Sequence, residues 1–245
     1  MKTLGIVPAR YASSRFPGKP LTPLLGKPMV IWVLEIAAQA LGRECVLVAT
    51  DDERIARVAT SYDFKSILTS STARTGTDRI WEVSTKLDAD IYINIQGDEP
   101  LIQPKDIQAI LEAKKQYPHS VVTGMCPLQE NEDPKNVNLP KVITTEDLKM
   151  VYMSRAPLPA TKDPKRASPI FWREVCIHAY SKPELARFGE YGRKSYLESF
   201  EDIEILRFLE LGIPIQMIKI DGHSHAVDVV EDVAVVEALL QRRTV

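Results

Sequence analysis

The run CVLVA at residues 45–49 decides the fold class. Five consecutive apolar residues have the length of a strand, and an unbroken apolar run is expected when helices cover both faces of a strand. Just upstream, residues 29–41 carry apolar side chains at helical spacing. Just downstream, Thr50 or Asp51 can cap a second helix. A strand between two helices predicts a βαβ unit of a parallel sheet.

The same alternation continues outward from this unit. The predicted elements of the first half are strands at 4–7, 66–68 and 91–95 and helices at 77–86 and 104–115. Those of the second half are strands at 121–125, 141–144, 150–153, 175–180 and 214–220 and helices at 182–189, 200–211 and 231–242. We therefore predict an α/β fold with a mostly parallel central sheet and a smaller β-rich part. Loops that follow parallel strands should line one crevice.

Composition excludes several classes of protein. The 245 residues include 31 basic and 33 acidic side chains, which argues against a general nucleic-acid binder. The three cysteines are widely spaced and odd in number, as expected in a reducing compartment. The most apolar stretch, residues 29–41, is too short to cross a bilayer. We predict a soluble, cytoplasmic protein without a nucleic-acid or membrane partner.

A basic loop follows the first predicted strand. Residues 8–20 read PARYASSRFPGKP and place Arg10, Arg15 and Lys19 close together. Arginine forks bind phosphate oxygens and lysine supplies a point charge, while small residues such as Ser13 let the backbone approach a ligand. The loop is neither a Walker A motif nor a GxGxxG fingerprint. It suits a triphosphate, and judged by charge alone it could equally be a solvated basic loop.

Five segments in order carry a family resemblance. They are GIVPARYASSRFPGKP at 5–20, ATDDERI at 49–55, TGTDR at 75–79, NIQGDEPLI at 94–102 and YMSRAPLP at 152–159. Together with the pattern of residues 197–210, they resemble the nucleotidyltransferases that activate sugars, and most narrowly the CMP-Kdo synthetases (3-deoxy-manno-octulosonate cytidylyltransferases). The resemblance covers nearly the whole chain.

The resemblance implies a fold and a reaction. The fold is the Rossmann-like nucleotide-diphospho-sugar transferase fold in one domain of residues 1–245. Within it, residues 1–120 would bind CTP, 121–220 would bind the sugar and dimerise, and 221–245 would hold a metal-ligand loop and the last helix. The enzyme would move CMP from CTP to a Kdo-type sugar acid for lipopolysaccharide synthesis and release pyrophosphate. A homodimer is also implied, with the arm at 155–170 packing against the second subunit.

The resemblance also assigns residues to the nucleotide and the metal. Asp98 and Asp228 would bind Mg²⁺ and act in catalysis beside Arg10 and Lys19. Asp98 directly follows the strand at 91–95 and could otherwise cap the next helix, and Asp228 could likewise cap the last one. The expected nucleotide-binding residues are Ala9, Arg10, Ser13, Arg15, Lys19, Thr75, Arg79 and Gln96.

Departures from the family cluster where the sugar is expected. The family segment HIGIYAY reads EVCIHAY at 174–180, and EQLR reads EILR at 204–207. A sugar-facing His is thus replaced by Glu174, and a Gln by Ile205. Arg155 and Glu204 match the family, and a fixed arginine suits the carboxylate of the sugar. We therefore expect these four residues to bind a modified sugar.

The substitution at Glu174 points to an amino sugar. A buried carboxylate without a partner is costly, and the ammonium of 8-amino-3,8-dideoxy-manno-octulosonate would supply that partner. The alternative is that Glu174 pairs with Arg173, a lysine or His178 of the protein itself. Two other functions remain open: a sialic-acid-type CMP-sugar synthetase, and a non-catalytic nucleotide-binding regulator.

Overall fold

The structure is a computed structural model that describes residues 1–12, 16–163, 165, 167–222 and 224–243. Residue 243 is described by its backbone alone. The strands are β1 Thr3–Ala9, β2 Pro23–Leu24, β3 Lys27–Pro28, β4 Val46–Thr50, β5 Lys65–Leu68, β6 Ile91–Ile95, β7 Val121–Pro127, β8 Lys141–Thr144, β9 Met150–Ser154, β10 Trp172–Tyr180 and β11 Ile215–Lys219. The α-helices are α1 Met29–Leu41, α2 Glu53–Ser61, α3 Gly76–Lys86, α4 Pro104–Gln116, α5 Lys182–Glu190, α6 Tyr196–Glu201, α7 Ile205–Glu210 and α8 Asp232–Arg243. Short 3₁₀ helices span Lys19–Leu21 and Arg43–Cys45.

One sheet organises the molecule. Seven strands lie side by side in the order β11-β7-β10-β6-β1-β4-β5, with β8 paired to β10 and β9 paired to β8. Strands β6, β1, β4 and β5 are parallel neighbours, whereas β10 runs antiparallel to both β6 and β7. The predicted α/β class with a mostly parallel sheet is therefore confirmed. Strands of the second half of the chain extend the same sheet instead of forming a second one.

Helices cover both faces of the sheet, as the run at 45–49 predicts. All five residues of β4 and all five of β6 are buried. Apolar residues of α1, α2 and α4 pack on one face, and those of α3, α5 and α7 pack on the other. None of the helices that the structure describes is both long and apolar enough to span a membrane.

Two predicted helix caps are wrong by one or two residues. The cap of α2 is Asp52, whose side chain accepts the backbone N–H of Arg54. The cap of α3 is Thr75, which accepts the N–H of Asp78 in a reciprocal capping box. In both cases a nearby side chain that can accept from the first helical turn competes successfully with the residue predicted to cap.

The helix predicted at 200–211 is in fact two helices. Between α6 and α7 the chain turns at Asp202, whose φ of 50° lies in the left-handed region. A residue in that conformation ends a helix, and Asp tolerates it better than most residues do. The apolar spacing continues across the break, which is why the sequence pattern does not reveal it.

Candidate active site

A polar cavity lies beyond the carboxyl ends of β1 and β6. It is lined by Pro8, Ala9, Arg10, Lys19, Pro20, Met29, Ala73, Arg74, Thr75, Gly76, Arg79, Gln96, Gly97, Asp98, Lys194, Asp202, Glu204 and Asp228. The position matches the crevice predicted from the strand order. Six of the eight predicted nucleotide-binding residues line it, while Ser13 and Arg15 lie outside the described residues.

Lys19 and two aspartates form the charged centre of the cavity. The Lys19 Nζ donates to Asp98 Oδ2 at 2.6 Å and to the carbonyl of Val227 at 2.8 Å, and it lies 3.9 Å from Asp228 Oδ1. The side chains of Asp98 and Asp228 are 32% and 38% exposed. One ammonium therefore sits between two carboxylates that remain open to the cavity.

The end of the chain is fixed beside β6 by a backbone bond and by packing. The N–H of Val227 donates to the carbonyl of Asp98 at 2.9 Å. Val227 is fully buried in an apolar cluster with Leu24, Leu101 and residues of α8. Helix α8 begins at Asp232, so Asp228 does not occupy its capping position. These contacts bring together two aspartates that are remote in sequence.

The donor set at this centre suits a hard divalent cation. Mg²⁺ takes oxygen ligands and usually only one or two carboxylates from protein, the others coming from substrate phosphates and water. Asp98 and Asp228 supply two carboxylates, and the Lys19 ammonium already marks a position that favours a cation. The residues therefore fit Mg²⁺.

The start of α3 forms a second wall of the cavity. The backbone N–H groups of Gly76 and Thr77 donate to the Glu204 carboxylate at 3.0 and 2.8 Å, and the Thr77 hydroxyl donates to it at 2.6 Å. Burial raises the pKa of Glu204, although these hydrogen bonds favour its ionised form. Glu204 thus lines the cavity while it is anchored to a helix N-terminus.

Arg79 is fixed from several sides. Its guanidinium donates to Asp51 Oδ2 at 2.8 Å, to the Thr69 hydroxyl at 2.7 Å and to the carbonyl of Ser70 at 3.1 Å. The residue is only 3% exposed. Arg79 therefore ties the loops after β4 and β5 to the cavity wall, and its contact with the nucleotide stays a prediction.

Arg155, predicted to bind the sugar, does not line the described cavity. Its guanidinium donates to backbone carbonyls of Glu201, Val137 and Asp202, the last two at 2.6 and 2.9 Å. These three bonds hold the end of α6 in place and use three of the five N–H donors of the guanidinium. The contact of Arg155 with the carboxylate of the sugar stays a prediction.

Ile205, also predicted to bind the sugar, does not line the described cavity either. It is 1% exposed and packs in the apolar cluster between the sheet and helices α3, α5 and α7. It is the first residue of α7, one position after Glu204, so the helical turn directs its side chain to the core. Its apolar character satisfies packing and is no sign of a changed sugar contact.

Glu174 lies on β10, 8% exposed, behind the described cavity lining. Burial, together with the charges of Glu204 and Glu99, raises the pKa of Glu174 to about 7, and the charge of Arg155 partly opposes this. Its Oε2 lies 3.8 Å from Cys176 Sγ, and its Oε1 lies 3.9 Å from His178 Nε2.

Neither protein partner predicted for Glu174 neutralises it. Burial lowers the pKa of His178 to about 4, so its imidazole is neutral at pH 7, with Nδ1 2.7 Å from the Thr123 hydroxyl. The guanidinium of Arg173 pairs with Glu132 at 3.2 Å and donates to the carbonyl of Gly222. In the described part of the chain, no lysine or arginine forms an ion pair with the Glu174 carboxylate.

Sequence reasoning missed Lys194 and Asp202. Both line the cavity, and Lys194 Nζ lies 2.5 Å from Asp202 Oδ1. Lys194 precedes α6 and Asp202 follows it, so no local pattern links them. The positive φ of Asp202 had no sequence signal apart from the residue type.

A cavity that places cations and carboxylates beyond the carboxyl ends of parallel strands is the arrangement expected of a nucleotidyltransferase. The sequence profile of the family described as "Cytidylyltransferase" matches residues 4–218. The chain belongs to the cytidylyltransferase family and is an enzyme of that class.

Individual relatives agree with this assignment. A 3-deoxy-manno-octulosonate cytidylyltransferase of Syntrophobacter fumaroxidans is 40% identical, with 98% of each chain covered. An 8-amino-3,8-dideoxy-manno-octulosonate cytidylyltransferase of Shewanella amazonensis is 39% identical, over 93% of this chain and 94% of the relative.

A solved structure agrees in fold over the whole chain. It is described as CMP:2-keto-3-deoxy-manno-octonic acid synthetase complexed with CTP. It is 35% identical and superposes with a TM-score of 0.91, over 99% of this chain and 100% of the other. The predicted nucleotidyltransferase fold is therefore confirmed.

Proposed function

We propose that this enzyme transfers CMP from CTP to the anomeric hydroxyl of a Kdo-type sugar acid, with 8-amino-3,8-dideoxy-manno-octulosonate as the favoured acceptor. Pyrophosphate is released, and the product serves lipopolysaccharide synthesis. The relatives named for octulosonates and the CTP complex of the similar structure support the reaction. We favour the amino sugar because the buried Glu174 carboxylate forms no ion pair with a lysine or an arginine among the described residues.

The cavity supports the nucleotide half of the reaction. The anomeric oxygen attacks the α-phosphorus of CTP, the bond from this phosphorus to the α,β-bridging oxygen breaks, pyrophosphate leaves with that oxygen, and the hydroxyl proton passes to water. Catalysis then rests on alignment and on neutralising the negative charge of the triphosphate. Arg10 and Lys19 face the cavity with positive charge, and Gln96 offers both a donor and an acceptor to the cytosine edge.

The two aspartates orient the reacting groups. Asp98 and Asp228 would hold Mg²⁺, which when bound stabilises charge on the phosphate oxygens. The Lys19 ammonium interacts with both carboxylates and so holds them close together at the cavity edge. The retention of all three charged groups in one cluster supports a catalytic enzyme over a nucleotide-binding regulator.

The environment of Glu174 favours the amino sugar as the substrate, whereas sequence identity to the relatives favours neither sugar. Relatives named for the two sugars are 40% and 39% identical to this chain, so identity does not separate them. A substrate ammonium would bring the charge that neither His178 nor Arg173 supplies to this carboxylate. A plain hydroxyl would leave the charge of Glu174 uncompensated, which penalises Kdo as a substrate.

Pyrophosphate release tests the proposal. With CTP and Mg²⁺, kcat/KM should be higher for the 8-amino sugar than for Kdo, and Glu174→Gln should lower that ratio by about 10- to 100-fold, since a hydrogen bond to a charged group contributes about 1.5–3 kcal/mol. Glu190→Gln, at an exposed site on α5, is the matched control and should leave the ratio unchanged.

Other outcomes separate the alternatives. Equal activity with both sugars would reject the amino-sugar assignment and keep the cytidylyltransferase. No release with either sugar, but release with a sialic acid, would favour the sialic-acid-type synthetase. The homodimer and the cytoplasmic location stay predictions, and sedimentation of the purified enzyme would check the first.

A further inference from the structure

The ion pair of Lys194 and Asp202 faces the same cavity as the catalytic candidates. Lys194 lies in the loop between α5 and α6, and Asp202 is the residue that ends α6. The Lys194 Nζ lies 2.5 Å from Asp202 Oδ1, and both residues belong to the cavity lining. The family resemblance assigns neither of them a role.

We propose that Lys194 binds the carboxylate of the sugar acid, and that Asp202 holds the lysine until this carboxylate replaces it. The proposal rests on the proposed function only in that the acceptor is a sugar acid. Kdo and its 8-amino analogue carry the same carboxylate, so the subsite does not depend on which of them is the substrate.

The position of Lys194 separates it from the cations expected to bind the triphosphate. Arg10 and Lys19 come from the loop after β1, and Arg74 comes from the loop before α3. Among the described residues, Lys194 is the only cation that the segment from α5 to α7 contributes to the lining. The same segment supplies Glu204, a residue expected to bind the sugar.

Arg155 is the residue expected from the sequence to bind this carboxylate. Its guanidinium donates to backbone carbonyls, including that of Asp202 at 2.9 Å. Arg155 thus holds Asp202 at the cavity but does not itself line it, so a carboxylate bound inside the cavity needs a cation from the lining. Lys194 is in place to provide it.

The ion pair between Lys194 and Asp202 is weak enough for a substrate carboxylate to replace Asp202. The Asp202 side chain is 75% exposed and that of Lys194 is 33% exposed, and ion pairs with such exposure are weak. A lysine ammonium on a flexible stem has three donors and can turn to a new acceptor. A substrate carboxylate held by other contacts inside the cavity can therefore displace Asp202.

Steady-state kinetics of Lys194→Met test the proposal. Methionine keeps most of the aliphatic stem and removes the charge, so KM for the sugar acid should rise about tenfold or more, while KM for CTP should change less than about twofold. Lys194→Arg should restore much of the affinity for the sugar. Lys182→Met removes a similar exposed pair with Asp88 far from the cavity lining and is the matched control.

A sugar analogue identifies the contacted group. The 1-carboxamide of the sugar, measured as a competitive inhibitor, should lose less than about twofold in affinity on Lys194→Met, because it lacks the charge that Lys194 binds. Asp202→Asn, which tolerates the left-handed conformation, should lower KM for the sugar acid because the competitor of the substrate is gone.

Three results would overturn the proposal. They are a rise in KM for CTP in place of the sugar, an equal loss for acid and carboxamide, and no change in either KM. Calorimetric binding of the sugar acid to the enzyme with CMP gives the same comparison without turnover. If no octulosonate supports turnover, the proposed function fails, and this binding measurement still decides the role of Lys194.

Discussion

Two groups of carboxylates near one cavity have opposite environments. Asp98 and Asp228 lie at its open edge and share the ammonium of Lys19. Glu174 is buried on β10, and its nearest titratable base, His178, is neutral. The first group carries its own compensating charge, whereas the second requires a charge from outside. On the proposed function, the nucleotide end has its compensating charge in the chain, and the sugar end would receive it from the ligand.

A third group shows that this chain can compensate buried carboxylates internally. Arg207 is fully buried and pairs with Glu198 Oε1 at 2.6 Å and Asp78 Oδ1 at 2.9 Å. Asp78 also accepts the N–H of Thr75 at the cavity wall. The buried Glu184 is likewise paired with a cation, Lys114, at 2.8 Å. Among the described residues, Glu174 forms no such pair with a lysine or an arginine, which supports the binding role that we propose for it.

Of the substitutions considered, removal of Arg207 should have the largest effect, and the effect is on the free energy of unfolding. Arg207→Met leaves two buried carboxylates uncompensated and should lower the free energy of unfolding by about 3–5 kcal/mol. Urea unfolding followed by circular dichroism measures this. Arg57→Met breaks an exposed pair with Glu53 and should cost less than about 1 kcal/mol. Similar losses for the two variants would contradict the role of burial.

Asp98→Asn tests the compensated group at the cavity edge. The change removes a charge from the centre that is proposed to hold Mg²⁺, so kcat should fall by about 10²- to 10³-fold. The midpoint of thermal unfolding should shift little, because the side chain is a third exposed. Asp88→Asn, at an exposed site, is the control. A fall of less than about fivefold would remove Asp98 from the catalytic machinery.

Glu174 should make the stability of the wild type fall as the pH rises, which is the opposite of what a salt-bridged acid does. Glu174→Gln removes this dependence. The pKa of Glu174 is raised from 4.5 to about 7, so between these values the folded protein binds more protons than the unfolded chain. Stability then falls as the pH rises through this window, and the cost is complete above pH 7.

The variant should therefore be more stable than the wild type at pH 8, by at most about 3 kcal/mol, and nearly equal to it at pH 5. Urea unfolding at both values measures the difference, with Glu190→Gln as the exposed control. A stabilisation that is the same at both pH values would show that it does not come from removing the ionisation of a buried carboxyl.

The fold was predictable where the signal is local. The bounds of α1 and β6 agree with the apolar runs because a buried strand or helix face requires them. The break at Asp202 was not predictable, since it depends on a single left-handed residue inside a continuous apolar pattern.

The candidate site was predictable in part for the same reason. Asp98 follows a buried strand, so its place at the sheet edge can be deduced from the sequence. The directions of Arg155 and Ile205 depend on how the chain turns between α6 and α7, and neither side chain lines the described cavity. The pairing of Lys194 with Asp202 arises only from that turn.

Proton release on sugar binding tests the central claim most directly. Burial raises the pKa of Glu174 to about 7, so a bound ammonium should shift this carboxyl toward its ionised form and release protons near pH 7. Calorimetry of the CMP-saturated enzyme in buffers of different ionisation enthalpy measures this. We predict release with the 8-amino sugar, none with Kdo, and none with Glu174→Gln. Equal proton release with both sugars would contradict the assignment of Glu174 as the ammonium partner.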